Sequence, residues 1–270
     1  MSQIAIIAGT GALPLLLAEQ IAARGTPPLF AVMAGQEVPV PECAQALPFE
    51  IERIGSLFSA LKEADVSEVV FAGGIARPKL DPSKFDPTLL AFAPRFLPAL
   101  SGGDDALLRV IIALFEENGL IVRAPNEIDP TLCLAPGEDA GREMTEAEAA
   151  DAARGREVLA HLSALDLGQG CVVASGLCLG IETLQGTDAL LRFVGETPAH
   201  LRRAPGVFVK APKAGQDLRI DMPTIGPETI KRVADAGLAG LVIPAGGVIV
   251  LDRRKTFSVV EAAGLFLRAL

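Results

Sequence analysis

The 270-residue sequence has no tryptophan, no tyrosine and only two histidines. Stacking on aromatic rings therefore rests on its 12 phenylalanines. His161 and His200 lack a Ser, Cys or Asp partner at a telling spacing, which disfavours a Ser-His-Asp hydrolase. Basic charge is also short: 24 Lys and Arg face 33 Asp and Glu, a formal net charge of −9. Nonspecific nucleic-acid binding needs a basic surface that releases counterions, so no nucleic acid is expected as a partner. A protein this acidic holds an anion by local means: backbone amides, a few placed Lys or Arg, or a metal. The four cysteines (Cys43, Cys133, Cys171, Cys178) form no CxxC pair and have no nearby histidine. Zinc and redox motifs fail on that spacing, and buried free thiols in a reducing cytoplasm are the expectation. No apolar stretch reaches the roughly 18–20 residues of a membrane span. The apolar start "MSQIAIIAGTGALPLLLAEQ" lacks the basic n-region of a signal peptide and is broken by glycines and a proline. A soluble, cytoplasmic protein is expected.

What is present is enough to build a core, since half the residues are apolar and 21% are charged. "QIAIIA" (3–8) reads as a buried strand, followed by a "GTG" turn and a helix closed by Gly25. Further strands are expected at 28–33 and 68–74, helices at 56–64 and 104–119, then a strand at "LIVRA". Such alternation argues for a parallel sheet with helices on its faces. Residues 126–145 carry prolines and glycines with little periodicity, and are expected to link a domain at 1–125 to one at 146–270. The second half also alternates. A helix follows residue 145, two strands meet at Ser175-Gly176, and a helix starts at the second copy of a repeated phrase, "GDDALLR" and "GTDALLR". Strands at "GVFVKA", "AGLVIP" and "GVIVLD", a helix from Pro227 and a last helix over "TFSVVEAAGLFLRAL" complete it. The fold class is α/β: an N-terminal Rossmann-like parallel sheet and a C-terminal α/β domain with a mixed sheet.

Several stretches carry candidate chemistry. "GTGALP" leads from a strand into a helix N-terminus, where backbone amides and the helix dipole favour a phosphate. It keeps two glycines of a dinucleotide fingerprint but has Pro14 in place of the third, and no acidic residue ends the next strand. A tight turn and a phosphate cradle remain equal readings. "FAGGIARP" (71–78) ends another strand with Gly73 and Arg77 and should share a crevice with it. In the repeated phrase, Asp104 and Thr187 are good N-caps. Asp105 and Asp188 suit a first helical turn, four residues before Arg109 and Arg192. A helix start explains both copies without any function. In "VFVKAPKAGQDLRIDMPTIGPETI", Lys210 and Lys213 flank a proline, and Asp217, Arg219 and Asp221 alternate as on one face of a strand. With Thr224 and the helix start at Pro227, this block suits a phosphate ester and a divalent ion. Glu182, Asp188 and Asp221 are the acidic candidates for Mg²⁺ or a general base.

Taken in order, "IAGTGALPLLLA", "FAGGIARP", "GDDALLR", "LDLGQGCVV", "GTDALLR", "VKAPKAGQDLRIDMPTIG" and "AGLAGLVI" resemble one family over nearly the whole chain. It is the LpxI-type UDP-2,3-diacylglucosamine pyrophosphatase family of bacterial lipid A synthesis. The resemblance implies Mg²⁺-dependent hydrolysis to UMP and 2,3-diacylglucosamine 1-phosphate (lipid X), with water attacking the sugar-side phosphorus. It implies a role in turnover for Asp221, the aspartate before "xPTIG". Gly9, Thr10, Gly11, Ala12, Leu13, Gly73 and Arg77 are then expected to hold the nucleotide. Asp105, Thr187, Gln216 and Thr224 would contact substrate phosphate. Asp221, Asp188, Lys210, Lys213 and Glu182 would act in catalysis, and Asp221 and Asp188 would face the metal. The chain departs from the family pattern at Gln185 and Pro244. Residues 85–100 read equally as an acyl groove or as core packing. Membrane contact is expected only transiently, at the inner-membrane surface through the substrate, and a homodimer is compatible with the reading. The alternative from another class is a non-catalytic nucleotide-sugar binding or regulatory protein. A nicotinamide oxidoreductase rests on "GTG" alone.

Overall fold

The computed structural model describes residues 3–75, 80–100 and 104–270, apart from the side chains of Leu100, Asp104 and Asp105. The chain divides into two compact units, residues 1–130 with 217–221, and residues 131–216 with 222–270.

The first unit contains β1 (Gln3–Ala8), α1 (Leu13–Ala22), β2 (Leu29–Met33), β3 (Gln45–Phe49), α2 (Ile54–Glu63) and β4 (Val66–Ala72), then α3 (Pro87–Leu100), α4 (Asp104–Glu117), β5 (Ile121–Arg123) and α5 (Pro125–Ile128). Its five strands are all parallel in the order β3-β2-β1-β4-β5. A parallel sheet needs both faces covered, and the continuous apolar runs of β1 and β4 supply them: Ala5, Ile6, Val69 and Val70 are fully buried. Phe115 of α4 packs edge-on against Phe58 and Phe71, with ring centroids 5.1 and 5.0 Å apart. The segment 85–100 is largely α3, and Phe85, Leu89, Phe92 and Phe96 enter this core, while Leu90 and Leu97 are exposed.

The second unit contains β6 (Ala140–Gly141), α6 (Glu146–Leu162), β7 (Gly170–Ala174), β8 (Leu177–Ile181), α7 (Gly186–Gly195), β9 (Val207–Lys210), β10 (Thr224–Ile225), α8 (Pro227–Asp235), β11 (Gly240–Ile243), β12 (Ile249–Val250), α9 (Arg253–Ala262) and β13 (Phe266–Ala269). Its mixed sheet runs β6-β13-β11-β9-β7-β8, with β9, β11 and β13 parallel and the other three pairings antiparallel. The β7–β8 hairpin turns at Ser175 and Gly176, both at positive φ (49° and 76°), as a two-residue turn matching strand twist requires. The buried carboxylate of Asp151 on α6 accepts both of their amides, at 2.9 and 2.7 Å. Gly155 lets α6 lie close on the sheet, because a Cβ there would stand 2.6 Å from Val209.

Three expectations need correction. The apolar C-terminus is not one helix: Gly264, at φ 66°, ends the turn after α9, and Phe266–Ala269 is a buried strand. Residues 217–221 are not a strand but a turn and coil that pack with the first unit. Thr187 is not a helix cap, since α7 starts one residue earlier, after Gln185.

Candidate functional site

Two places gather the candidate residues, one in each unit. In the first unit, the chain after β1 and the chain after β4 meet where the strand order reverses. This is the topological switch point at which open α/β sheets take their ligands. The two loops are joined backbone to backbone. Thr10 and Gly74 exchange amide hydrogen bonds of 2.8 and 3.0 Å, and the Thr10 hydroxyl donates to the Gly74 carbonyl at 3.1 Å. This approach demands glycine on both sides. A Cβ at Gly9 would lie 2.4 Å from the Gly74 oxygen, and one at Gly73 would lie 2.4 Å from the Thr10 oxygen. Gly11 differs, since it adopts φ 103° and a Cβ there would meet nothing within 4 Å, on the open approach to α1. Ala12 and Leu13 begin that helix, which has no side-chain cap and carries Pro14 in its first turn. Arg77 lies outside the described residues, as does the side chain of Asp105 at the start of α4.

In the second unit, three polar side chains meet beneath the start of α7. The ammonium of Lys210, at the end of β9, donates to the Thr187 hydroxyl at 2.6 Å and to Glu182 Oε2 at 3.3 Å. The Thr187 hydroxyl in turn donates to Glu182 Oε2 at 3.1 Å. The Lys210 and Glu182 side chains are only 5% and 12% exposed. A buried ammonium persists only when its charge and donors are met, and here a carboxylate and a hydroxyl meet them. Glu182 is positioned by two glycines that the sequence reading did not single out. Its amide donates to the Gly170 carbonyl at 2.7 Å. A Cβ at Gly170 would stand 2.5 Å from Glu182 Oε2, and one at Gly168 would stand 2.3 Å from the Glu182 carbonyl oxygen. The signal was the G-x-G of "LDLGQG" immediately before a buried strand.

The other candidates stand in separate networks. Asp188 is 60% exposed, and its ion pair runs across to Arg232 on α8 at 2.9 Å, where the sequence reading paired it with Arg192. Lys213 pairs with Asp166, and its amide donates to Gln216 Oε1 at 3.0 Å within a tight turn. The Gln169 side-chain Nε2 also donates to Gln216 Oε1, at 3.0 Å. The Thr224 hydroxyl donates to the Met222 carbonyl at 3.2 Å. Asp221 closes the 217–221 segment in the first unit. There Asp217 accepts from the Arg219 guanidinium at 2.7 Å, and Arg219 reaches Glu116 at 2.6 Å. The Arg219 guanidinium holds the Asp217 carboxyl below its usual range. Both histidines are exposed. Among the described residues, no three His, Cys, Asp or Glu side chains gather as a metal cage. The thiols are free, but Cys178 is exposed rather than buried. Among the described residues no helix is long and apolar enough to cross a membrane.

A Rossmann-like sheet with glycine-built loops at its switch point, together with a mixed-sheet unit holding a buried Lys-Thr-Glu cluster, defines a two-unit α/β enzyme. Residues 3–132 match the LpxI N-terminal domain and residues 135–268 the LpxI C-terminal domain. The chain belongs to the LpxI family. It is 37% identical over 273 aligned residues to the UDP-2,3-diacylglucosamine pyrophosphatase LpxI of Caulobacter vibrioides, covering 99% of this chain and 97% of the other.

Proposed function

We propose that this enzyme hydrolyses the pyrophosphate of UDP-2,3-diacylglucosamine to UMP and lipid X in lipid A synthesis, the activity for which the Caulobacter relative is named. Beside that relationship, the observation that carries the reading is the buried Lys210–Thr187–Glu182 cluster at the start of α7. Water adds to the sugar-side phosphorus, the bond to the bridging oxygen breaks, and that oxygen leaves with UMP. Negative charge grows on the phosphate oxygens as the bond breaks, and a fixed cation in a water-poor site stabilises it most. An ammonium has three donors. Two serve Thr187 and Glu182, and in this reading the third serves a phosphate oxygen. Asp221 orients the attacking water, with Asp188 and Lys213 in support, and Gln216, Thr224 and Asp105 address the phosphates. Uridine diphosphate lies on the 9–13 turn and the loop at Gly73 and Arg77.

Among the described residues no three acidic, His or Cys side chains gather, but Mg²⁺ does not need so many protein ligands. Mg²⁺ is commonly held by substrate phosphates with one or two carboxylates, so Asp221 and Asp188 would hold it, and it would neutralise charge on the pyrophosphate. The enzyme works in the cytoplasm and touches the inner-membrane surface only through its lipid substrate. The test is to incubate it with UDP-2,3-diacylglucosamine, with Mg²⁺ and with EDTA, and to quantify UMP and lipid X. Both products in equal amounts are expected, with Asp221→Ala folded and inactive. Absence of UMP with UDP binding intact would establish a non-catalytic binding protein instead. Full turnover in EDTA would remove Mg²⁺ from the scheme.

A further inference from the structure

Cys171 and Cys178 sit on the neighbouring antiparallel strands β7 and β8 with their sulfurs 3.8 Å apart. The ladder sets Cys178 opposite Val173, two residues along from Cys171, so the cysteines are diagonal neighbours on one face. The register slips between Val172 and Val173, at the crossing of that diagonal. β8 is also the edge strand of its sheet and is held by β7 alone. The two sulfurs differ in setting: Cys171 is fully buried and Cys178 is exposed. The hydrogen bond with the Cys171 sulfur, and to a lesser extent Arg154 of α6, holds the Cys178 thiol below its usual range. The same contact, with burial, pushes Cys171 up. An exposed sulfur that ionises easily, beside a buried protonated one, is the arrangement in which the first is oxidised and the second resolves it. The other two cysteines lack it, since Cys43 is half-buried and Cys133 is buried against the Met222 sulfur at 3.7 Å.

We propose that Cys171 and Cys178 are a redox modification site, closing to a reversible disulfide when a hydroperoxide oxidises Cys178. The Cys178 thiolate attacks the peroxide; an S–O bond forms, the O–O bond breaks, and hydroxide leaves to be protonated as water. Cys171 then attacks the resulting sulfenic acid. The S–S bond forms, the S–O bond breaks, and the leaving hydroxide takes the Cys171 proton as a second water. Two thiols and one H₂O₂ thus give one disulfide and two waters, and a dithiol reductant reverses it by exchange. The bond acts on the Lys210 cluster through the backbone. From Cys178, β8 continues to Ile181 and directly into Glu182, whose carboxylate lies over Gly170, the residue before Cys171. Drawing sulfurs from 3.8 Å to about 2.05 Å shifts this stretch, and the 3.3 Å contact of Glu182 with Lys210 is the one displaced. This last step rests on the proposed pyrophosphatase reading; the disulfide does not.

Both cysteines fall in one tryptic peptide, residues 157–192, which contains no methionine. After brief H₂O₂ treatment of the whole protein and alkylation, that peptide should be two hydrogens lighter than its reduced form and unalkylated until dithiothreitol is added. Cys171→Ser should stop at a dimedone-trappable sulfenic acid on Cys178, and Cys178→Ser should leave Cys171 reduced. UMP release should fall roughly 10- to 100-fold on oxidation, as when a positioned group is displaced, and return with dithiothreitol. In Cys178→Ser it should not respond. The proposal is overturned if the wild-type peptide keeps both hydrogens at a peroxide dose that oxidises Cys178 in Cys171→Ser. It is equally overturned if Cys43 oxidises before Cys178. A disulfide that leaves UMP release unchanged refutes the coupling to Glu182. A reduced protein that releases no UMP refutes the pyrophosphatase reading, and the peptide mass still decides the disulfide.

Discussion

Lys210→Met keeps the length of the side chain and removes its charge, leaving the Glu182 carboxylate, 12% exposed, without its cation. Breaking a buried pair from one side costs about 3–5 kcal/mol, because the remaining charge is stranded. The partial exposure of Glu182 and its second bond, to Thr187 at 3.1 Å, put this case near the lower end, about 3 kcal/mol. In a unit of this size that is a fall of about 6–12 °C in melting temperature. Glu182→Met strands the ammonium instead and should cost a similar amount. The double variant strands neither charge. Apolar replacement of a buried pair is often neutral, so the double should melt above either single, with a coupling energy of at least about 2 kcal/mol. Thermal denaturation by calorimetry on the four proteins measures this, and UMP release should be lost in all three variants. If the double variant loses the sum of the singles, or Lys210→Met melts like the wild type, the reasoning about a buried, mutually dependent pair is wrong.

Thr187→Val removes a hydroxyl that both accepts from Lys210 and donates to Glu182, so it should cost about 1–3 kcal/mol. Thr187→Ser should keep stability and UMP release, as read in the same two assays. Gly11→Ala meets no atom within 4 Å but holds φ 103°, so it should cost about 1–2 kcal/mol of backbone strain. Gly73→Ala adds a 2.4 Å approach to the Thr10 oxygen, and should both cost more and weaken UDP binding in a calorimetric titration. Hydrogen bonding from Arg142, with the cap at Thr145, lowers the Glu148 carboxyl from 4.5 to about 2. Its folded value lies below its unfolded one, so this stabilisation is complete above pH 4.5 and fades as pH falls towards 2. Glu148→Gln should therefore be less stable at neutral pH in urea melts, and its difference from the wild type should close across that window.

The parallel first sheet was legible because its inner strands β1, β2 and β4 each carry a short, largely buried apolar run. Where the reading failed, a local signal had two explanations. The stretch "EAAGLFLRAL" kept an apolar character suited to a helix. Only the left-handed Gly264 and the partner β11, distant in sequence, make its end a strand. Alternating Asp217, Arg219 and Asp221 suggested a strand face. The spacing instead serves a turn in which the Asp217 carboxylate accepts both the Arg219 amide, at 3.1 Å, and its guanidinium. β3 was missed because it has no fully buried residue: three of its five are exposed and two half-buried, at the sheet edge.

The candidate site was legible by residue type and not by partnership. Glu182, Thr187 and Lys210 meet because β7 lies between β8 and β9, an order that no local pattern contains. The same order makes a sulfur pair of two cysteines whose spacing matches no redox motif, since a hairpin turns six intervening residues into a cross-strand neighbour. Thr187 shows how local sufficiency misleads. A threonine after a glycine at a helix start fits a cap, and a cap would be served equally well by Asp. The observed hydroxyl must accept from an ammonium and donate to a carboxylate at once. Aspartate cannot donate, and it would set a second negative charge against Glu182 around a single Lys210. Thr187→Asp, harmless to a cap, is therefore expected to unseat the cluster, and the requirement for a hydroxyl at this position comes from the sheet below α7 rather than from α7 itself.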